Sequence, residues 1–107
     1  MSQDGNRLLL RFDKMMRQIN RARINEAIDG IGLEDLRKVA TLVARSRAAY
    51  MKCMYKISRA TPAGKEPTAN QLDELKKLRA TYEELLAASG AFEIAIKRGY
   101  LDIRDRG

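Results

Sequence analysis

Two long stretches of this sequence repeat their apolar side chains every three or four residues, and this pattern constrains the fold more than any other feature. The first line consists of Leu36, Val39, Val43, Ser46, Tyr50, Cys53 and Ile57. The second consists of Leu75, Leu78, Tyr82, Leu85, Ser89, Phe92, Ile96, Gly99 and Ile103. Alternating steps of three and four place side chains on one face of an α-helix, as in coiled coils. The pattern predicts a helix over about 33–60 and a longer one over about 68–104.

A loop over residues 61–67 separates the two predicted helices. It contains Pro62 and Pro67, which are the two prolines of the chain and do not fit a helix interior. Thr68 and Gln71 have the spacing of a capping box at the start of the third helix. Because the loop is short, the two apolar lines are predicted to pack against each other as an antiparallel, coiled-coil-like helical hairpin.

A first helix is predicted over about 6–29. Its apolar line is formed by Leu8, Phe12, Met15 and Ile19, and a cationic row of Arg7, Arg11, Lys14, Arg17 and Arg21 lies on the opposite face. Two glycines after residue 29 end the pattern. The predicted fold class is therefore all-α, with three helices in one domain over residues 1–107. A chain of this size buries a modest core, and the third helix is longer than its partner, so self-association into a homo-oligomer is also predicted.

Positive charge is concentrated in the first two-thirds of the chain. The whole sequence has 21 Lys and Arg against 14 Asp and Glu, yet the stretch 37–65 contains eight basic residues and no acidic one. Like charges on a helix repel one another unless something neutralises them. Such a local excess favours a polyanionic partner, and nucleic acid is the commonest.

The candidate nucleic-acid contacts follow from the helical positions of these cations. The first choice is the second-helix set Lys38, Arg45, Lys52, Lys56 and Arg59, together with Tyr55, whose ring can stack on a base. The second choice is the first-helix set Arg7, Arg11, Lys14 and Arg21. Cations of this kind contact the phosphate backbone, so binding is predicted to be independent of sequence and sensitive to salt.

The composition argues against catalysis. The chain has no histidine, and its single cysteine, Cys53, lies on an apolar line without a base to activate it. No phosphate-binding loop or cluster of metal ligands is present, so neither an enzyme activity, a cofactor nor a metal is expected. No apolar run is long enough to span a membrane, and the first residues lack signal-peptide character. A cytoplasmic location and no membrane partner are therefore predicted.

Several features follow one another along the second half of the chain. A basic helix with Tyr50 and Tyr55 leads into a glycine-containing loop, and a long helix then carries Tyr82 and Phe92. The chain closes on Ile-Lys-Arg-Gly-Tyr-Leu-Asp-Ile-Arg over residues 96–104. In this order, over about residues 40–104, the sequence resembles the recombination mediator proteins of T4-type phages, the UvsY family.

The resemblance implies a small helical protein that assembles into a ring in a bacterial or phage-infected cell. It would bind single-stranded DNA and help to load a RecA-like recombinase onto strands covered by single-strand-binding protein. The basic helix would carry the DNA contacts and the C-terminal helix the assembly contacts. DNA and RNA, and single and double strands, are not distinguished by the residues themselves.

Other interpretations of the same pattern remain open. The chain can be a helical structural or adaptor subunit of a phage or secretion assembly, with basic faces that meet an acidic protein. The cationic rows can also be ordinary solvated helix faces. A basic amphipathic first helix can lie on an anionic membrane, although this one has no tryptophan and a single phenylalanine.

Overall fold

The computed structural model describes residues 2–104, and over this range the protein is all-α. The helices are α1 (Gln3–Ala27), α2 (Leu33–Ala60) and α3 (Ala69–Lys97). The described range contains no strand, only an isolated parallel bridge between Ile31 and Ile103. The residues divide into two compact units. One, here called the hairpin unit, is Arg37–Gly90; the other, the terminal unit, takes the described residues up to Leu36 and from Ala91 onwards.

The hairpin unit has the predicted antiparallel pairing of α2 with α3. Within 37–60 the positions withdrawn from solvent are the predicted ones, namely Val39, Val43, Ser46, Tyr50, Cys53 and Ile57. Val43 and Ile57 are buried, with 8% and 5% of their surface exposed. The facing line of α3 runs from Leu75 to Ser89, and the helix continues without interruption through Gly90. Both the helical hairpin and the apolar lines that build it are confirmed.

Local hydrogen bonds set the loop of the hairpin. The Thr68 N–H donates to the Gln71 side-chain oxygen at 2.8 Å, and the Gln71 N–H donates to the Thr68 hydroxyl at 3.1 Å. This reciprocal pair is the predicted capping box, and it satisfies two of the free N–H groups at the start of α3. The Lys65 N–H donates to the Pro62 carbonyl at 3.0 Å, closing a turn in which Gly64 has a φ of 77°.

The core of the terminal unit is assembled from three separate segments. Its buried residues are Ile31, Ala95 and Leu101, and they are flanked by Ile24 and Ile28 of the α1 end. The backbone after α3 pairs with the α1–α2 connection, because the Ile31 N–H donates to the Asp102 carbonyl and the Arg104 N–H donates to the Ile31 carbonyl, each at 2.9 Å. This pairing holds the segment after α3 in place.

The predicted end of α3 near residue 104 is wrong, because the helix stops at Lys97. Gly99 has a φ of 72° and donates to the Ile96 carbonyl, while the Tyr100 N–H donates to the Ala95 carbonyl. These two bonds form a Schellman motif, in which a left-handed glycine closes the last turn. Gly99 and Ile103 are therefore exposed rather than on the apolar line, and Ala95 is buried instead.

Helix α1 begins with a cap and leaves much of its apolar side uncovered. The Ser2 hydroxyl accepts from the Gly5 N–H at 3.1 Å, and the helix covers Gln3–Ala27, a few residues earlier than predicted. No residue of α1 is fully buried. The most exposed large apolar side chains of the predicted line are Leu8 at 66% and Met15 at 53%. The first half of α1 therefore presents an unpartnered apolar face.

Candidate nucleic-acid interface

The first-choice cations lie on the solvent side of α2 in the hairpin unit. Because the apolar line occupies the face toward α3, the cations lie on one flank of α2 and on its outer side, and Lys52 and Lys56 border a groove next to α3. The exposed cations of this row are Lys38, Arg45, Lys52, Lys56 and Arg59. At 1.5 Å per residue the row extends about 30 Å along the helix axis. The structure thus brings the predicted row together as one continuous basic surface, here called the α2 row.

Most of the α2 row has no acidic partner. Among residues 2–104, no carboxylate oxygen lies within 4.0 Å of the charged groups of Arg45, Lys52 or Lys56. Glu74 is the carboxylate that approaches the row, since it lines a groove of about 560 Å³ together with Lys52 and Lys56. By contrast, α3 pairs its own charges, as in the Arg79–Glu83 contact of 3.8 Å.

Tyr55 and Arg59 form a local pair at the end of the row. The Arg59 guanidinium donates to the Tyr55 hydroxyl at 2.8 Å, and its central carbon lies 5.6 Å from the centre of the ring. The hydrogen bond and the cation–π contact orient both side chains. Tyr55 is still 58% exposed. The ring is therefore accessible to a stacking partner.

Another arginine of α2 has a structural contact instead. The Arg47 Nε donates to the Tyr82 hydroxyl at 3.0 Å, and the Tyr82 ring stacks on Tyr50 with 6.0 Å between centroids. These contacts join the two helices of the hairpin unit. Arg47 therefore contacts the partner helix and is not counted among the five cations of the α2 row.

The second-choice cations of α1 divide into two groups. Arg7, Arg11 and Lys14 are exposed, and none has a carboxylate partner among the described residues. Arg21 is different, because its guanidinium forms an ion pair with Asp102 and donates to the Gly99 carbonyl at 2.9 Å. Arg21 therefore tethers the segment after α3 within the terminal unit, and a contact with nucleic acid would compete with that bond.

The structure also assembles a basic cleft that the sequence analysis missed. It has a volume of about 770 Å³ and lies in the terminal unit, lined by Phe12, Asp13, Met16, Arg17, Asn20, Lys97, Arg98 and Tyr100. The Arg98 guanidinium beside Tyr100 lowers the pKa of that phenol below 10.0, and Asn20 and Arg17 act in the same direction. Arg17 belongs to the cationic row of α1, but no sequence signal places it beside residues 97–100.

Three further observations concern possible metal ligands, the cysteine and the hydropathy of the helices. No group of three or more acidic or cysteine side chains there is arranged to hold a metal ion. Cys53 is half-buried on the apolar line between the helices, a position typical of a small packing residue. None of the described helices is both long and apolar enough to cross a membrane.

Comparison with known proteins assigns neither a family nor a function. No family model, curated protein or solved structure matches this chain.

Proposed function

We propose that this protein is a non-catalytic nucleic-acid-binding protein that acts on single-stranded DNA as a recombination mediator or accessory factor. The observation that carries the proposal is the α2 row, in which five exposed cations lie along one helix and at least three of them have no carboxylate partner among residues 2–104. A phosphate backbone supplies the missing negative charge in a linear arrangement.

The charge balance distinguishes this surface from an ordinary solvated face. Solvated helices usually mix signs, and α3 of this protein does so with Lys76, Lys77 and Arg79 beside Glu83 and Glu84. The α2 row lacks such compensation within the range 37–65. The accessible ring of Tyr55 next to Arg59 adds a stacking surface of the kind found in single-strand binders. The charge serves either kind of strand, whereas the exposed ring favours the unpaired strand, whose bases are free to stack.

Self-association belongs to the same proposal. Leu8, Met15 and Ile19 form a face on which each side chain is at least half exposed. A second copy that covers this face would remove its apolar surface from water, which stabilises the assembly by about 25 cal/mol per Å². A homo-oligomer would also place several α2 rows on one strand, which raises the apparent affinity. The resemblance to the phage mediators supports a recombinase or single-strand-binding protein as a further partner in the cytoplasm.

Charge reversal on the α2 row tests the binding function. We expect Lys52→Glu with Lys56→Glu to weaken binding of a fluorescein-labelled oligodeoxythymidylate strongly, as measured by anisotropy at several salt concentrations. Each phosphate interaction that the variant removes should make the log–log salt dependence shallower by about 0.7. The matched control is Lys76→Glu with Lys77→Glu, which changes the net charge equally on α3. Equal binding by both double variants would remove the α2 row from the proposal.

The exposed face of α1 also favours a second candidate function, that of a structural or adaptor subunit. Such a subunit would assemble through this face without nucleic acid, and its basic surfaces would meet an acidic protein. Light scattering of the chain alone separates the two functions, because a filament subunit grows without limit. A closed oligomer that binds the oligonucleotide supports the first proposal.

A further inference from the structure

We propose that the basic cleft of the terminal unit is a second contact site for single-stranded nucleic acid, which holds a phosphate on its cations and a base against an aromatic ring. The inference rests on the proposed function, because it takes the same ligand and adds a site that lies outside the α2 row. Its lining includes Phe12, Arg17, Lys97, Arg98 and Tyr100, none of which is among the nucleic-acid contacts predicted from the sequence.

The size and charge of the cleft fit a nucleotide. Its volume of about 770 Å³ is within the range of roughly 300–1,000 Å³ usual for small-ligand sites. Three cations, Arg17, Lys97 and Arg98, line it against one carboxylate, Asp13. Among the residues 2–104, none of these three cations has a carboxylate oxygen within 4.0 Å. The cleft therefore keeps an excess of positive charge available to an anion.

The two aromatic side chains decide which kind of anion fits. Phe12 is 44% exposed and lines the cleft together with the half-buried Tyr100. Rings beside backbone-binding cations are the arrangement by which proteins hold single strands without reading their sequence. An acidic peptide would use the cations but leave the rings without a planar partner. The lowered pKa of Tyr100, caused first by Arg98, agrees with a positive potential at the ring.

The fold fixes the backbone on one side of the cleft. The Schellman motif at Gly99 fixes the backbone on which Lys97 and Arg98 sit, through the bond from the Tyr100 N–H to the Ala95 carbonyl at 2.8 Å. The Asn25 side chain donates to the Tyr100 carbonyl at 3.0 Å. These bonds order the backbone that carries Lys97, Arg98 and Tyr100, and a preordered backbone favours affinity.

Variants that spare the core test the site. Phe12→Ala removes an exposed ring, and Arg17→Gln with Arg98→Gln removes two cations, whereas Tyr100 packs against the buried cluster and is left intact. The control is Lys76→Gln with Lys77→Gln on α3. Circular dichroism establishes that each variant is folded, and light scattering establishes that its oligomeric state is unchanged, because Phe12 also lies on the apolar line of α1. The probes are a fluorescein-labelled oligodeoxythymidylate, read by anisotropy, and an oligonucleotide containing 2-aminopurine, whose quenching reports stacking.

We expect Phe12→Ala to weaken binding about five-fold or more and to reduce the quenching. The double arginine variant should make the salt dependence shallower by about 1.4 if both side chains bind phosphate. Weakened binding in Lys52→Glu with Lys56→Glu, but unchanged binding in both cleft variants, would overturn the cleft site and leave the proposed function standing. No binding by the unaltered protein at low salt would overturn both. Cleft-dependent binding of labelled poly-glutamate without oligonucleotide binding would identify an acidic-protein site instead.

Discussion

The two units of this protein are stabilised in different ways. In the hairpin unit, buried side chains such as Val43 and Ile57 lie along one repeating line, and the partner helix supplies a similar line. In the terminal unit, hydrogen bonds join residues about 70 positions apart, as between the Ile31 N–H and the Asp102 carbonyl. The first arrangement is repetitive and apolar, whereas the second depends on a few specific bonds around a small core.

The difference extends to the candidate binding surfaces. The α2 row is a linear set of cations on one helix, so it follows directly from helical periodicity. The basic cleft is concave and combines α1 with the last residue of α3 and two residues that follow it. Its shape therefore depends on the bonds that hold the terminal unit together, and perturbing those bonds should affect the cleft before it affects the α2 row.

The largest expected effect comes from the core of the terminal unit. Leu101 is 3% exposed, and Leu101→Ala should lower the free energy of unfolding by about 2–5 kcal/mol, because it leaves a cavity in a well-packed site. Hydrogen exchange should show the loss of protection first at the bonded amides of Ile31 and Arg104. The control is Leu86→Ala at a site that is 40% exposed, where a small effect is expected. Similar destabilisation in both variants would contradict the assignment of Leu101 to the core.

A pair of glycines gives the next largest effect, with opposite signs. Gly99 has a φ of 72°, and no atom beyond the adjacent residues lies within 4 Å of the position of an added Cβ. Gly99→Ala should therefore destabilise by about 1–2 kcal/mol through backbone conformation alone. Gly90 lies inside α3 with equally open space, so Gly90→Ala should stabilise by about 0.5–1 kcal/mol. Thermal unfolding of the two variants measures both changes, and equal signs would contradict the assigned end of α3.

The smallest effect concerns the phenol of Tyr100. Because Arg98 lowers its pKa below 10.0, one of the four tyrosines should ionise early in an ultraviolet titration. Between the lowered pKa and 10.0 the unfolded chain binds more protons at this phenol than the folded chain does. The free energy of unfolding should therefore increase as the pH rises through this window. This added stability should be lost as the pH falls through the lowered pKa. Arg98→Gln should return the pKa toward 10.0. If the Tyr100 titration in that variant is unchanged, Arg98 is not the cause of the lowered pKa.

Much of the hairpin could be predicted because its information is local. The apolar line of α2, the capping box at Thr68 and the exposure of the α2 row all follow from spacing along one helix. The partnership of Arg59 with Tyr55 is also local, since the two residues are four positions apart on one helix. In these cases neighbours in the sequence are neighbours in space.

The terminal unit could not be predicted in the same way. The alternation of three and four residues continues through Gly99 to Ile103, yet the Schellman motif ends α3 at Lys97. Residues 100–104 are stabilised by hydrogen bonds to the α1–α2 connection instead of by another helical turn. A periodic pattern along the sequence contains no information about this long-range pairing. For the same reason, the sequence did not predict that Arg21, alone in the cationic row of α1, forms an ion pair with Asp102.

Residue spacing and charge thus define the helices, their apolar lines and the row of cations on α2, because each is a property of a single helix with a fixed rotation per residue. The end of α3, the core around Leu101 and the basic cleft arise from contacts between segments far apart in the chain. Such contacts form when the gain from packing and hydrogen bonding exceeds the entropy lost on closing the intervening chain. That balance is a property of the folded molecule, and no repeat in the sequence encodes it.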